Sequence, residues 1–182
     1  MLIGARGRRS FRAAAVLPLV LTAPLAAVEP PVPPALEFVF EETVTLAAPT
    51  TPGPTALGGR NIIPITGGSF EGPAIRGTIL PGGWDWQLRR ADGCTHIKAD
   101  YMLRTDDGVV INILNQGVAC PGPDGKVQPV RTQAVFEPPL GKYDWLGKSA
   151  FVGTLELAVP DTGGPPPAGP PAAVRIRFYR VR

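Results

Sequence analysis

The sequence predicts an all-β domain, and three observations carry that expectation. Short runs of alternating apolar and polar side chains recur along the chain, glycine- and proline-rich turns separate them, and no window sustains a helical period. Many short strands without helices argue a sandwich or a closed barrel. What remains of the 182-residue chain after a leader suits one domain with a sizeable core and would be cramped for two.

The elements follow in chain order. Residues 1–27 have the layout of a secretory signal peptide, with Arg6, Arg8, Arg9 and Arg12 ahead of an apolar run from Ala13 to Ala27. That run falls short of the roughly 20 residues a bilayer span needs and contains Pro18 and Pro24, so a cleaved leader is favoured over an anchor, with no stable membrane span left after its removal. Residues 28–34 read as a proline-rich spacer, and 35–182 as the β domain. Nine candidate strands run Leu36–Leu46, Arg60–Ile65 (broken by Pro64), Ser69–Leu80 (with a bend at Gly72-Pro73), Trp84–Ala91, Cys94–Thr105, Val109–Val118, Arg131–Glu137, Ala150–Val159 and Ala173–Arg182. Ala47–Gly59 and the proline-rich stretch Asp161–Pro171 read as loops, because proline cannot donate to a ladder. The best helical candidate is one turn around Tyr143–Leu146.

Charge excludes one function class. The chain has 18 basic and 15 acidic residues, but a leader of residues 1–27 would carry away four arginines and no acids, leaving 14 against 15. The basic balance therefore belongs to the leader, and nucleic acid is not an expected partner. His96 is the only histidine and there is no paired-cysteine motif, so neither a metal site nor a cofactor is expected. Ser10, Ser69 and Ser149 have no histidine base nearby in sequence, and no phosphate-cradling glycine motif precedes a helix.

Two Asp-Gly turns organise the centre of the chain. A three-residue loop at Asp106–Gly108 pairs Thr105 with Val109, and counting on in step sets Cys94 opposite Cys120. Turn geometry and cysteine spacing thus agree on one register, on a disulfide, and on a secreted or periplasmic location. A two-residue loop at Asp92-Gly93 would set Trp84 opposite Tyr101, Trp86 opposite Ala99 and Leu88 opposite Ile97. The buried face would then hold Trp84, Trp86, Leu88, Ile97, Tyr101, Leu103, Ile111 and Ile113. Asp85 would face Asp100 on the polar side beside Arg104; a longer first loop would change that pairing, and a bulge at Gly82-Gly83 would turn Asp85 inward.

The ordered motifs Gly58-Gly59-Arg60, Ile65-Thr66-Gly67-Gly68-Ser69-Phe70-Glu71-Gly72-Pro73 and Pro81-Gly82-Gly83-Trp84-Asp85-Trp86-Gln87 open a longer pattern. Tyr101, Leu103-Arg104-Thr105-Asp106-Asp107-Gly108, Phe136-Glu137, Tyr143-Asp144-Trp145-Leu146 and Phe151-Val152-Gly153 continue it. Together they resemble domain-of-unknown-function family 3237, also called uncharacterised protein family 0311, from about Leu36 to the C-terminus. That resemblance implies a single closed antiparallel β-barrel, calycin- or lipocalin-like, of about eight or nine strands, and implies little chemistry. The leader, Cys94 with Cys120, and the Asp161–Pro171 insertion depart from a family whose members usually look cytoplasmic.

Two functions are expected from these residues. The first is an exported barrel binding a small apolar or aromatic molecule, with Trp84, Trp86, Tyr143, Trp145 and Glu71 as ligand-binding candidates. The second is a non-redox acid–base enzyme, a hydratase, isomerase or cyclase, with Asp85 as acid or base and Tyr101 or Arg104 stabilising developing charge. Expected partners are the small molecule itself and a second copy of the chain in a homodimer.

Overall fold

A hairpin with a tight turn at Asp107-Gly108 lies within the sheet of the computed structural model, which describes residues 31–124, 129–158 and 173–182. Ten strands form: β1 Leu36–Leu46, β2 Thr50–Thr55, β3 Gly58–Glu71, β4 Arg76–Ile79, β5 Gly83–Arg89, β6 Thr95–Thr105, β7 Val110–Ala119, β8 Val130–Glu137, β9 Phe151–Leu157 and β10 Ala173–Val181. All pairings are antiparallel, running β1-β10-β9-β8-β7-β6-β4-β3 with β5 between β3 and β6, and a β1–β3 pairing closes the ring. The result is an eight-stranded closed barrel. β1 with β2, and β4 with β5, each act as one interrupted strand along β3. The compact unit spans Pro33–Arg182, and the leader expected over 1–27 lies outside the described residues.

Several expectations hold. Tyr101 pairs with Ile113 and Leu103 with Ile111, the Thr105 N–H donates to the Val109 carbonyl at 2.9 Å, and Cys94 is disulfide-bonded to Cys120. Consecutive turns, not a long helix, occupy the Tyr143–Leu146 region. Others are corrected. The segment 50–55, read as loop, forms β2, and Arg60–Ile65 and Ser69 belong to the single strand β3. Pro64 is tolerated there because it lies opposite the break between β1 and β2, where no ladder bond needs its missing N–H. The Asp161–Pro171 loop lies outside the described residues.

The main correction concerns the first hairpin. The Arg90 N–H donates to the Cys94 carbonyl at 2.8 Å, so the loop is Ala91-Asp92-Gly93, three residues long. Gly93 sits at φ 83°, in the left-handed region that glycine enters at little cost. Leu88 therefore pairs with His96, Asp85 with Ala99, and Trp84 with Asp100. A one-residue slip turns a whole strand over. Trp84 and Trp86 face outward, each more than two-fifths exposed, and Asp85 faces in. Asp85 and Asp100 are not opposed, so the like-charge argument lapses.

The core divides along the barrel axis. Near the turn between β6 and β7, Phe40, Phe70, Phe136, Phe151 and Phe178 pack edge to face or tilted, with ring centroids 4.8–5.9 Å apart. Tyr143 and Leu146, from the turns between β8 and β9, are buried against this cluster. Five such rings at about 1.5–3 kcal/mol each give that half its cohesion. The half toward the disulfide is more polar, and the candidate site lies there.

Candidate functional site

Alternation on β1 places Glu42 on the same face as Phe40 and Val44, so a carboxylate enters the core with its apolar neighbours. Its burial is nearly complete, at 1% exposed. On β6 the same alternation carries Ile97, Ala99, Tyr101 and Leu103 inward. Gly83 lets β5 lie close beside Tyr101, since a Cβ there would fall 2.5 Å from the Tyr101 Cβ. Across the interior, the Tyr101 hydroxyl donates a short hydrogen bond to Glu42 Oε1. Glu42 Oε2 is buried without a hydrogen-bond partner among the described residues.

Asp85 is the third ionisable group inside, 8% exposed. Gln87 Nε2 donates to Asp85 Oδ2 at 2.8 Å and the Lys98 N–H donates to Oδ1 at 3.3 Å. Asn61 Nδ2 in turn donates to Gln87 Oε1 at 3.2 Å, which orients the glutamine amide. Burial raises the Asp85 carboxyl above its ordinary range, opposed by the Gln87 and Lys98 bonds and by the His96 charge. Burial pushes Glu42 up to about 8, with the Tyr101 bond acting against it. Burial and the neighbouring Glu42 and Asp85 charges hold the Tyr101 hydroxyl well above its ordinary value. Three acids of raised pKa facing one another suit proton transfer.

The wall beside them carries small side chains. One ladder row runs Ile63, Asp85, Ala99, Asn115, Ala134 and Phe151. Strands lie about 4.8 Å apart, so the Asp85 and Asn115 backbones stand roughly 10 Å apart with only the Ala99 methyl between them. Asn115 Oδ1 and Thr132 Oγ1 are buried with no hydrogen-bond partner among the described residues. The buried charged side chains among the described residues are Glu42 and Asp85, both acids.

The sequence-predicted residues separate accordingly. Asp85 and Tyr101 come together inside the barrel. Arg104 does not: it is exposed, paired through its backbone with Thr78 and Val110, because it alternates out of phase with Tyr101 and Leu103. Trp84 and Trp86 line an outer cleft of about 360 Å³ with Pro81, Asp100 and Met102. Glu71 is exposed beside Glu41 and Arg76 on an outer groove. Tyr143 and Trp145 do cover a barrel end, the one beside the Asp106–Gly108 turn. There the Tyr143 hydroxyl donates to Asp107 Oδ1 at 2.9 Å, and the Arg180 guanidinium sits 5.6 Å from the Trp145 ring centroid. Glu42, Asn115 and Thr132 escaped the sequence reading. Their signal was available for Glu42, a lone carboxylate in phase with Phe40 and Val44.

This chain shares its barrel and much of its sequence with proteins of one family. Residues 34–181 match the family described as Protein of unknown function (DUF3237). A UPF0311 protein of Clostridium acetobutylicum is 35% identical over 159 residues, covering 80% of this chain and 92% of that one. A β-barrel-like protein from Acinetobacter baumannii AYE superposes with a TM-score of 0.72 at 30% identity, covering 85% of this chain and all of that one. An enzyme from Penicillium herquei shares the fold, with a TM-score of 0.63 at 23% identity over 85% of this chain and 99% of that one. With its length matched from Pro34 to Val181 and its barrel reproduced, the chain belongs to the DUF3237 family.

Proposed function

We propose that the barrel interior is the site of a non-redox acid–base reaction on a small molecule, of the hydration, isomerisation or cyclisation kind. The observation that carries this reading is Asp85, turned inward and buried beside the Tyr101–Glu42 pair. Asp85 as carboxylate takes a proton from a C–H or O–H of the substrate and returns one to another atom of the same molecule, so no electrons are gained or lost. Glu42 keeps its proton near neutral pH, because burial lifts its carboxyl to about 8. Protonated Glu42, held by the Tyr101 hydroxyl that donates to its Oε1, then supplies through Oε2 a hydrogen-bond donor for an oxygen that gains negative charge. A barrel that only carried an apolar molecule would have no use for buried acids, which cost stability. The Penicillium herquei protein contributes only that an enzyme is built on this fold.

The same proposal places the mature domain outside the cytoplasm, secreted or periplasmic. Its support is the arginine-rich leader and the Cys94–Cys120 bond. Turnover on a panel of unsaturated carbonyl compounds and hydroxy-olefins is the test. Asp85→Asn should lower the rate by about a hundredfold or more and remove an acidic limb that lies above the ordinary carboxylate range. Equal activity of Asp85→Asn and wild type on every substrate turned over would end the proposal.

A further inference from the structure

The polar atoms of the barrel interior are unevenly matched. Asp85 has two donors, and Glu42 Oε1 has one. Asn115 Oδ1 has none among the described residues, although the residue is 2% exposed and so shut off from bulk water. Buried side-chain oxygens in folded proteins are nearly always satisfied, and exceptions point to a missing ligand or water. The neighbours of Asn115 are small: Ala99 and Ala134 on either side in its row, and Gly117 two residues on, opposite Thr132. Thr132 Oγ1 and Glu42 Oε2 are also without partners among the described residues. An asparagine needed only for packing would be better replaced by leucine, which has no acceptor to leave unmet.

Charge narrows what could meet these atoms. The charged side chains buried among the described residues are both acids, and Lys98, Arg104 and Arg131 on the surrounding strands are exposed. A carboxylate or phosphate entering this space would meet the Asp85 carboxylate with no buried cation among the described residues to balance it. A neutral molecule bearing an O–H or N–H donor meets no such penalty.

We propose that Asn115 is a specificity-determining residue whose side-chain oxygen accepts a hydrogen bond from the substrate, and that the substrates are neutral, ring-sized molecules with a hydroxyl or N–H donor. The inference rests on the acid–base reading of the same interior and adds to it the substrate class. The roughly 10 Å between the Asp85 and Asn115 backbones sets the scale. The donor group is bound at Asn115, and the reacting atoms lie across the Ala99 methyl, toward Asp85.

Three probes sharing one ring separate the contributions: toluene, benzyl alcohol and benzoate, titrated into the purified protein and followed by the amide resonances of Ala99 and Ala134. Wild type should bind benzyl alcohol more tightly than toluene and leave benzoate unbound. Asn115→Leu should abolish that preference, weakening benzyl alcohol about tenfold with toluene unchanged. Asn115→Ala repeats the comparison with a smaller side chain should Asn115→Leu not fold. Benzoate binding as tight as benzyl alcohol, a benzyl alcohol preference intact in both variants, or interior resonances that no probe moves at millimolar concentration would each overturn the assignment. A merely structural Asn115 would change stability without changing the preference between probes. The acid–base reading fails separately, by turnover that is indifferent to Asp85→Asn while the Asn115-dependent preference persists.

Discussion

Replacing Glu42 by glutamine tests the electrostatics of the barrel without removing the acceptor for Tyr101. The carboxyl is raised from an ordinary 4.5 to about 8 by burial. Above pH 4.5 the unfolded chain releases this proton while the folded chain keeps it, so the folded state binds more protons and stability falls as pH rises. The contribution is fully present below pH 4.5 and lost progressively up to about pH 8. At about 1.4 kcal/mol for each pH unit between those limits, the cost at pH 8 is on the order of 4 kcal/mol. Glu42→Gln does not titrate and escapes it. Urea unfolding of both proteins at about pH 5 and pH 8 should therefore show the variant gaining on wild type by roughly 3–4 kcal/mol over that range. With a slope of about 2 kcal/mol per molar urea, the midpoints would separate by nearly 2 M. Comparing the two proteins at each pH cancels the other ionisable groups. Parallel stability profiles would refute the reasoning, because a carboxyl that ionises normally cannot be the buried neutral donor required of Glu42.

Three further outcomes follow from the same geometry. Cys94→Ser with Cys120→Ser should cost about 3–4 kcal/mol in the same unfolding assay, since the bond closes a loop with a sequence separation of 26; reductant should reproduce the loss in wild type. Trp86→Ala, on the outer face, should change stability by under about 1 kcal/mol, whereas Phe178→Ala in the ring cluster should cost about 3–5 kcal/mol; similar values for the two would reverse the assignment of faces. Asp107, whose carboxyl is held well below its ordinary range by bonds from Lys142, Thr105 and Tyr143, ties the Tyr143 turns to the end of β6. Its contribution is present above the ordinary value of 3.8 and lost as pH falls below it, so Asp107→Asn should flatten the acid limb of the stability profile measured by thermal unfolding.

Sequence alone determined the all-β class, most strand positions, and the pairing of β6 with β7. That last register was over-specified, because a three-residue loop at Asp106–Gly108 and the spacing of Cys94 and Cys120 each demand it. The neighbouring hairpin had one constraint. Asp92-Gly93 fits a two-residue loop or the end of a three-residue one, and the difference of one residue decides whether Trp84 and Trp86 or Asp85 and Gln87 enter the barrel. Hydrophobicity favoured the tryptophans, yet β5 buries its acid and exposes its indoles. Glu42 shows the other limit. Its phase with Phe40 and Val44 is local, but its partner Tyr101 is 59 residues away and comes within reach only when β1 pairs with β3 and the sheet closes. Local patterning assigns a side chain to a face; barrel closure decides which faces meet, and here it brought three acids together in a medium that raises the pKa of each.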